Sequence, residues 1–382
     1  MRVFSFVIVA LFVAIQPTTA QEPSTYRVYV ANESSDLVSR VAFTPGVGAE
    51  VEKEIPVGMM PGDIDGAHGI TVSPDGEFWY VTIAHGTPNG FVWKFHAGPD
   101  TLVSRTKLGM FPATMGVTPD GQFLLAANFN LHGDRVPSTV SVVYTPDLLE
   151  ITKIETCLMP HGSRVRADGT KQYSACMHSE QLVEIDIESF EVSGRFDLTP
   201  GHEMALTAGE SEGAMAMEGM NHDMANMGNE AVCSPTWAEP GAGPRADRYV
   251  YVACNKNQEV LEVDTDSWEV ARRFETGKAP YNLESTADGR WLIVTLKGEQ
   301  GISVIDLESG DEVGRFKASQ PVTHGVVASS DGRYAFVSNE SIGSTKGTLD
   351  VIDLERMELV DSVELGHQSG GIDFWEPRPA NQ

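Results

Sequence analysis

Three histidines stand at one fixed distance from a recurring aspartate: His68, His161 and His324 lie seven residues before Asp75, Asp168 and Asp331. His85 and His178 each lie ten residues after Asp75 and Asp168. Tyr281 and Ala113 take the seven-before position ahead of Asp288 and Asp120. Neutral imidazole is the commonest protein ligand for zinc and copper. Histidines at one register therefore form a candidate metal site if that register brings them together. A second set of soft donors lies between Gly201 and Cys233, where Met204, Met215, Met217, Met220, Met224 and Met227, six of the chain's fourteen methionines, surround His222. Thioethers select Cu(I), and imidazole suits Cu(I) or Cu(II). The insert, 202–232, has no aromatic residue and almost no branched aliphatic one, so it cannot readily build a core. It reads as a lid hinged at Gly213, Gly219 and Gly228, in which Met217, Met220, His222, Met224 and Met227 capture or deliver metal. The same methionines could also serve as an adaptable apolar flap.

The elements that must position these groups follow from the aspartates. Asp75, Asp120, Asp168, Asp247, Asp288 and Asp331 recur at steps of 45, 48, 79, 41 and 43 residues, the long step holding the insert. A Gly follows each except Asp247, where Arg248 stands, and supplies the positive φ of a tight hairpin. Runs rich in β-branched and aromatic residues come next, at 78–82, 123–128, 249–254, 291–295 and 334–339. Two further strands complete each unit. Four short strands at a period of roughly 40–45 residues mark a β-propeller blade. Six such units are preceded by three strands (27–32, 37–43 and 51–57) and followed by a lone one (370–375). The expected fold is all-β: a seven-bladed propeller, four antiparallel strands per blade, closed by joining both termini in one blade. Closure hides the unpaired edges. The start of each innermost strand and the end of the second strand then share one rim. His68 with His85, and His161 with His178, are expected near the mouth of the central channel, with His324 and the loops carrying His132, His202 and His367. The insert joins an outer strand to the next inner strand and is expected at that rim too.

Residues 1–20 combine Arg2, an apolar stretch and a small-residue end, Thr18-Thr-Ala20, which reads as a cleaved secretory signal ahead of a single domain at 21–382. The expected location is periplasmic or extracellular, without a transmembrane segment. Residues 21–382 carry 26 basic and 54 acidic side chains, a net charge of −28, which disfavours nucleic acid and anionic lipid as partners. Four cysteines fall two per blade in neighbouring blades, and the rim geometry favours Cys157–Cys176 and Cys233–Cys254 among three possible connectivities. An oxidising compartment makes disulfides the default.

The units at 118–128 and 329–339 resemble the repeat of exported YVTN-type seven-bladed propellers, and the resemblance covers nearly all of the mature chain. It implies the fold. It leaves activity open, because similar propellers form the haem-binding part of nitrite reductase, the copper-cluster domain of nitrous oxide reductase, dehydrogenase subunits, lactonases and binding scaffolds. The sequence holds no Gly-rich phosphate loop, nucleophile elbow or Cys-x-x-Cys-His haem motif. The expected function is an exported metal-binding propeller, copper being the metal, in metal handling or as a metal-dependent redox protein. The alternatives are a scaffold presenting its mouth rim to a protein or cell-envelope partner, and a lactonase-like hydrolase. The catalytic residues of any such reaction stay unassigned.

Overall fold

In a computed structural model that describes residues 24–59, 62–207 and 232–377, seven antiparallel sheets form the blades of one propeller. The innermost strands, in blade order, are Ala67–Val72, Pro112–Val117, Pro160–Val165, Pro235–Pro240, Pro280–Ser285, Thr323–Ala328 and Ser369–Trp375. The last belongs to the closing blade, where Ser369–Trp375 pairs with Tyr26–Asn32 near the N-terminus, followed outward by Leu37–Thr44 and Gly48–Pro56. No helix among the described residues is long and apolar enough to cross a membrane. The signal reading at 1–20 falls outside the described residues.

The core is a ring of apolar clusters, one between each pair of adjacent blades. At the closure, Tyr29 stacks on Trp79 at 5.1 Å and Trp79 on Phe95 at 4.1 Å. Arg40 and Lys53 hold the buried Asp100 beneath them. Trp79, Trp93, Trp291 and Phe336 all lie in these clusters, and Trp268 packs against one. Aromatic rings of this size dominate such interfaces because each removes a large apolar area from water.

Five of the six repeat aspartates cap their hairpins alike: Asp75, Asp120, Asp168, Asp288 and Asp331 accept the backbone N–H two residues on at 2.9–3.1 Å. Asp247 does not belong to the series. Its hairpin contains the 3-10 turn Gly243–Arg245, and the position before the second strand is taken by Arg248, whose carbonyl accepts the Thr265 N–H as that of Arg290 accepts the Leu307 N–H. The register in that blade is therefore one residue out from the sequence count. Both disulfides form as expected, Cys157–Cys176 and Cys233–Cys254, each tying the approach to an innermost strand to the end of the second strand.

The insert begins differently from a simple loop. Met204–Ala205 adds a fifth strand to the outer edge of its blade, opposite Asp197 and Phe196. The chain returns at Cys233 and Ser234, whose N–H groups are held by the Glu180 carboxylate. Residues 208–231 fall outside the described residues.

Candidate functional site

Each innermost strand is approached through a residue in the left-handed region: Gly66, Phe111, Met159, Ser234, Ala279, Val322 and Gln368, with φ between 48 and 76°. After its first residue each strand slips register against the second strand. A bulge of this kind re-aims the side chain it frees. The freed residue is the second of the strand: His68, Ala113, His161, Thr236, Tyr281, His324 and Gly370. This explains the fixed histidine spacing.

The glycine after each histidine has a mechanical reason. A Cβ at Gly69 would stand 2.3 Å from the Ala113 carbonyl oxygen, and one at Gly162 2.4 Å from that of Thr236. The same two carbonyls accept the histidines' ring hydrogens, His68 Nδ1 at 3.1 Å from Ala113 O and His161 Nδ1 at 3.0 Å from Thr236 O. The His-Gly pair thus lets one blade's inner strand approach the next closely enough to fix the imidazole. Gly162→Ala is expected to cost about 1–3 kcal/mol, the range for overpacking a dense core. A denaturation midpoint equal to that of the unmodified protein would contradict this packing account.

With Nδ1 engaged in His68 and His161, their Nε2 atoms turn to Glu33 and to the Tyr281 hydroxyl. His68 is the hub, its ring centre 6.3 Å from that of His161 and 6.1 Å from that of His324. Tyr281 sits between the other two, 5.5 Å from His161 and 4.6 Å from His324, and its hydroxyl lies 3.1 Å from His161 Nε2. Burial, with the neighbouring His68, pushes the His161 imidazole down to about 3. His324 is held well below its ordinary value by burial and by Lys297, His68 and His161. Both rings are neutral near pH 7. Burial raises the Tyr281 phenol to about 12 against the pull of Lys297, so it is a donor.

A second ring of side chains was not picked out by sequence. The carbonyl of each left-handed residue accepts an N–H from just beyond the second strand, at 2.8–3.4 Å. The donors are Ala84, Phe129, Met177, Asn255, Lys297, Glu340 and Glu33, and they divide the mouth into two arcs. On the polar arc, Lys297 meets Glu340 at 3.0 Å and lies 4.2 Å above the Tyr281 ring, while Glu340 stands 3.2 Å from His324 Nε2. Glu33 bridges His85 at 2.7 Å and His68 at 3.8 Å. The Glu33 hydrogen bond lifts His85 above its ordinary value, and although burial opposes it, His68, His85 and Lys297 hold Glu33 low. On the other arc Ala84, Phe111, Ala113 and Phe129 form an apolar cluster with Met159 and Met177 against it. The signal was present: Ala84, Phe129, Met177, Lys297 and Glu340 each stand nine residues after their turn aspartate, beside the ten-after position of His85 and His178.

His68, His85, His161 and His324 therefore converge on one mouth, and His132 lies on Phe111 at 5.9 Å. His178 does not join them. Its charged neighbours are Arg135 and Lys256, which with burial lower it, and no ring contact links it to the cluster among the described residues. His202 is exposed beside the added outer strand. Met217, Met220, His222, Met224 and Met227 fall outside the described residues. No group of three His, Cys, Asp or Glu side chains stands ready to hold a metal ion among the described residues.

No curated protein matches the chain by sequence. Among solved structures, it superposes on hydrazine synthase from Kuenenia stuttgartiensis with a TM-score of 0.58 at 18% identity, covering 81% of this chain and 91% of that one. A putative 6-phosphogluconolactonase from Bacteroides fragilis gives 0.63 at 14% identity, over 94% and 100% of the two chains. Dihydro-heme d1 dehydrogenase NirN, in complex with DHE, gives 0.56 at 16%, over 91% and 74%. Identities this low establish shared fold alone. The chain is a seven-bladed β-propeller whose residues 244–376 match the model of the YNCE-like beta-propeller family.

Proposed function

We propose that the protein is an exported transition-metal-binding propeller, with copper as the favoured ion and His68, His161 and His324 as the imidazole ligands at the channel mouth. The observation that carries this reading is the orientation of the imidazoles. His68 and His161 give Nδ1 to a neighbouring backbone carbonyl, which is how ligating histidines are commonly fixed, while Nε2 of His68 stands 3.8 Å from Glu33 and Nε2 of His161 accepts from the Tyr281 hydroxyl at 3.1 Å, a bond that an ion would replace. An ion held by Nε2 at about 2.0–2.1 Å puts ring centres roughly 5–6 Å apart, close to the 6.1 and 6.3 Å from His68 to its two partners, and Tyr281, which stands between those partners, must move aside for all three to meet one ion. Neutral His161 and His324 need lose no proton to bind, and at His161 the ion takes the lone pair that Tyr281 now donates to. At His324 the ring hydrogen faces Glu340 from Nε2, and metal binding there would shift it to Nδ1, beside Gly370. Glu33 positions His68 and His85, and Glu340 and Lys297 set the charge around the site. Bound copper would supply one-electron redox chemistry or be passed on as cargo. The thioethers of Met217, Met220, Met224 and Met227, with His222, are assigned to metal capture from composition alone.

The test is copper titration of the mature protein against a chelator of known affinity, with a variant lacking 208–231 in parallel. One copper per chain in the full protein supports the reading. Slower loading in the truncated form supports the capture role. Substoichiometric copper in both forms removes the idea and leaves the alternatives: partner binding insensitive to His→Ala changes marks a scaffold, and hydrolysis that survives chelators marks a lactonase-like enzyme.

A further inference from the structure

The channel continues past the histidines into a second chamber of different chemistry. Two to four residues further along the innermost strands, a cavity of about 230 Å³ is lined by Thr71, Arg164, Glu239, Glu284 and Asp373 among apolar side chains. A void of about 20 Å³, lined by His68, His324, Trp237 and Asn282, separates it from the mouth and shares Ile70, Met115 and Arg164 with it. The two chambers are distinct sites on one axis.

The buried, unpartnered polar atoms along this axis include the Trp237 indole N–H at the adjoining void and two acceptors. Glu239 is 7% exposed, and its Oε2 has no hydrogen-bond partner; Arg164 Nε is 3.6 Å away. Asn282, 3% exposed, has its Oδ1 unpartnered in the adjoining void. Both atoms are acceptors, and leaving such atoms unpaired in a buried place is costly. Three carboxylates face one guanidinium, and that guanidinium is drawn over the Trp237 ring at 4.6 Å. With three acidic side chains against one guanidinium, the chamber is short of positive charge, which a cation would supply.

We propose that this chamber binds a hydrated divalent cation of the Mg²⁺ or Ca²⁺ class, contacted through its water shell by Glu239, Glu284 and Asp373. Direct ligation is not available, since no three acidic side chains stand in ligating geometry among the described residues. The volume has room for an ion with its waters, since one water needs only about 10–15 Å³ in the same measure. Mg²⁺ sheds its waters reluctantly and is commonly held this way. Binding also carries a proton signature. Burial, against the pull of Arg164, pushes Glu239 up to about 7. Burial and the neighbouring Glu239 raise Glu284 well above its ordinary range, and burial raises Asp373. The titratable and charged groups facing Glu239 are Arg164, Glu284 and Asp373, so a cation entering near pH 7 displaces protons from this set.

Mn²⁺, counted by electron paramagnetic resonance in a titration of the mature protein, serves as the probe. The expected result is one site competed by Mg²⁺ and Ca²⁺, with proton release in weak buffer. It should weaken at least about tenfold in Glu239→Gln/Glu284→Gln and persist in His68→Ala/His324→Ala. Gln is close in shape to Glu, and circular dichroism checks the fold of each variant. A site lost in the histidine variant but kept in the Gln variant would overturn the proposal, as would no site tighter than about 1 mM, the weak end for such ions.

Discussion

His68→Ala is expected to weaken copper binding by at least about 100-fold, at or beyond the upper end of what loss of a metal's outer partner costs. His68 alone has ring contacts with both other histidines, at 6.3 and 6.1 Å, so its removal leaves the remaining pair separated by Tyr281. Its side chain is at the channel surface and is only partly buried, so the fold should survive, as thermal melting would show. His178→Ala is the internal control, since its charged neighbours are Arg135 and Lys256. Equal affinity in unmodified and His68→Ala protein, measured by competition with a chelator, would be incompatible with a site at this mouth. Loss of binding in His178→Ala alone would move the site to the neighbouring loops.

The metal-free protein should lose stability steeply as pH falls below about 6.5, the ordinary histidine value. The sign follows from where the protons bind. His161 stays neutral in the fold down to about 3, and His324 is likewise held well below its ordinary value, each by burial first. The unfolded chain takes up a proton at each site below 6.5, so acid favours unfolding. Stability is fully present above that value and declines across the window down toward the folded one. At pH 5 His161 contributes a loss of about 2 kcal/mol, and His324 adds to it in the same direction. His85 works in the opposite direction: the Glu33 hydrogen bond raises it, so its contribution is present at low pH and lost as pH rises through its folded value. Denaturation midpoints of unmodified and His161→Gln/His324→Gln protein, compared at pH 7.5 and 5.0, isolate the two buried rings. The unmodified protein should fall further by at least about 2 kcal/mol, the His161 share alone. Parallel pH slopes would show that these rings titrate normally.

The blades, their closure through Ser369–Trp375 and both disulfides were legible because each rests on a local rule repeated many times. A hairpin needs its aspartate and glycine, and a strand its β-branched run. One blade escaped the count because Gly243–Arg245 replaces the tight turn, which moves Arg248 rather than Asp247 into the repeat's phase. The histidine register was legible for the same reason: the bulge follows the first residue of every innermost strand. Lys297 and Glu340 shared a spacing, nine residues after Asp288 and Asp331, but that spacing shows no role, which depends on backbone bonds from beyond the second strand to the left-handed residues. Glu33 was the hardest to see, because it comes from the closing blade, whose second strand lies at the other end of the chain from its first. Glu239, Glu284 and Asp373 look like ordinary acidic strand residues, and only the ring places them around one cavity.

X-ray absorption at the copper edge of the loaded mature protein tests the central claim most directly, read beside the same spectrum of His68→Ala/His161→Ala/His324→Ala. The mouth arrangement predicts two or three imidazole nitrogens at roughly 2 Å from the metal and their loss in the triple variant. A shell of sulfur or oxygen without imidazole, or a spectrum unchanged by removing the three rings, would mean that the histidines only brace the blades.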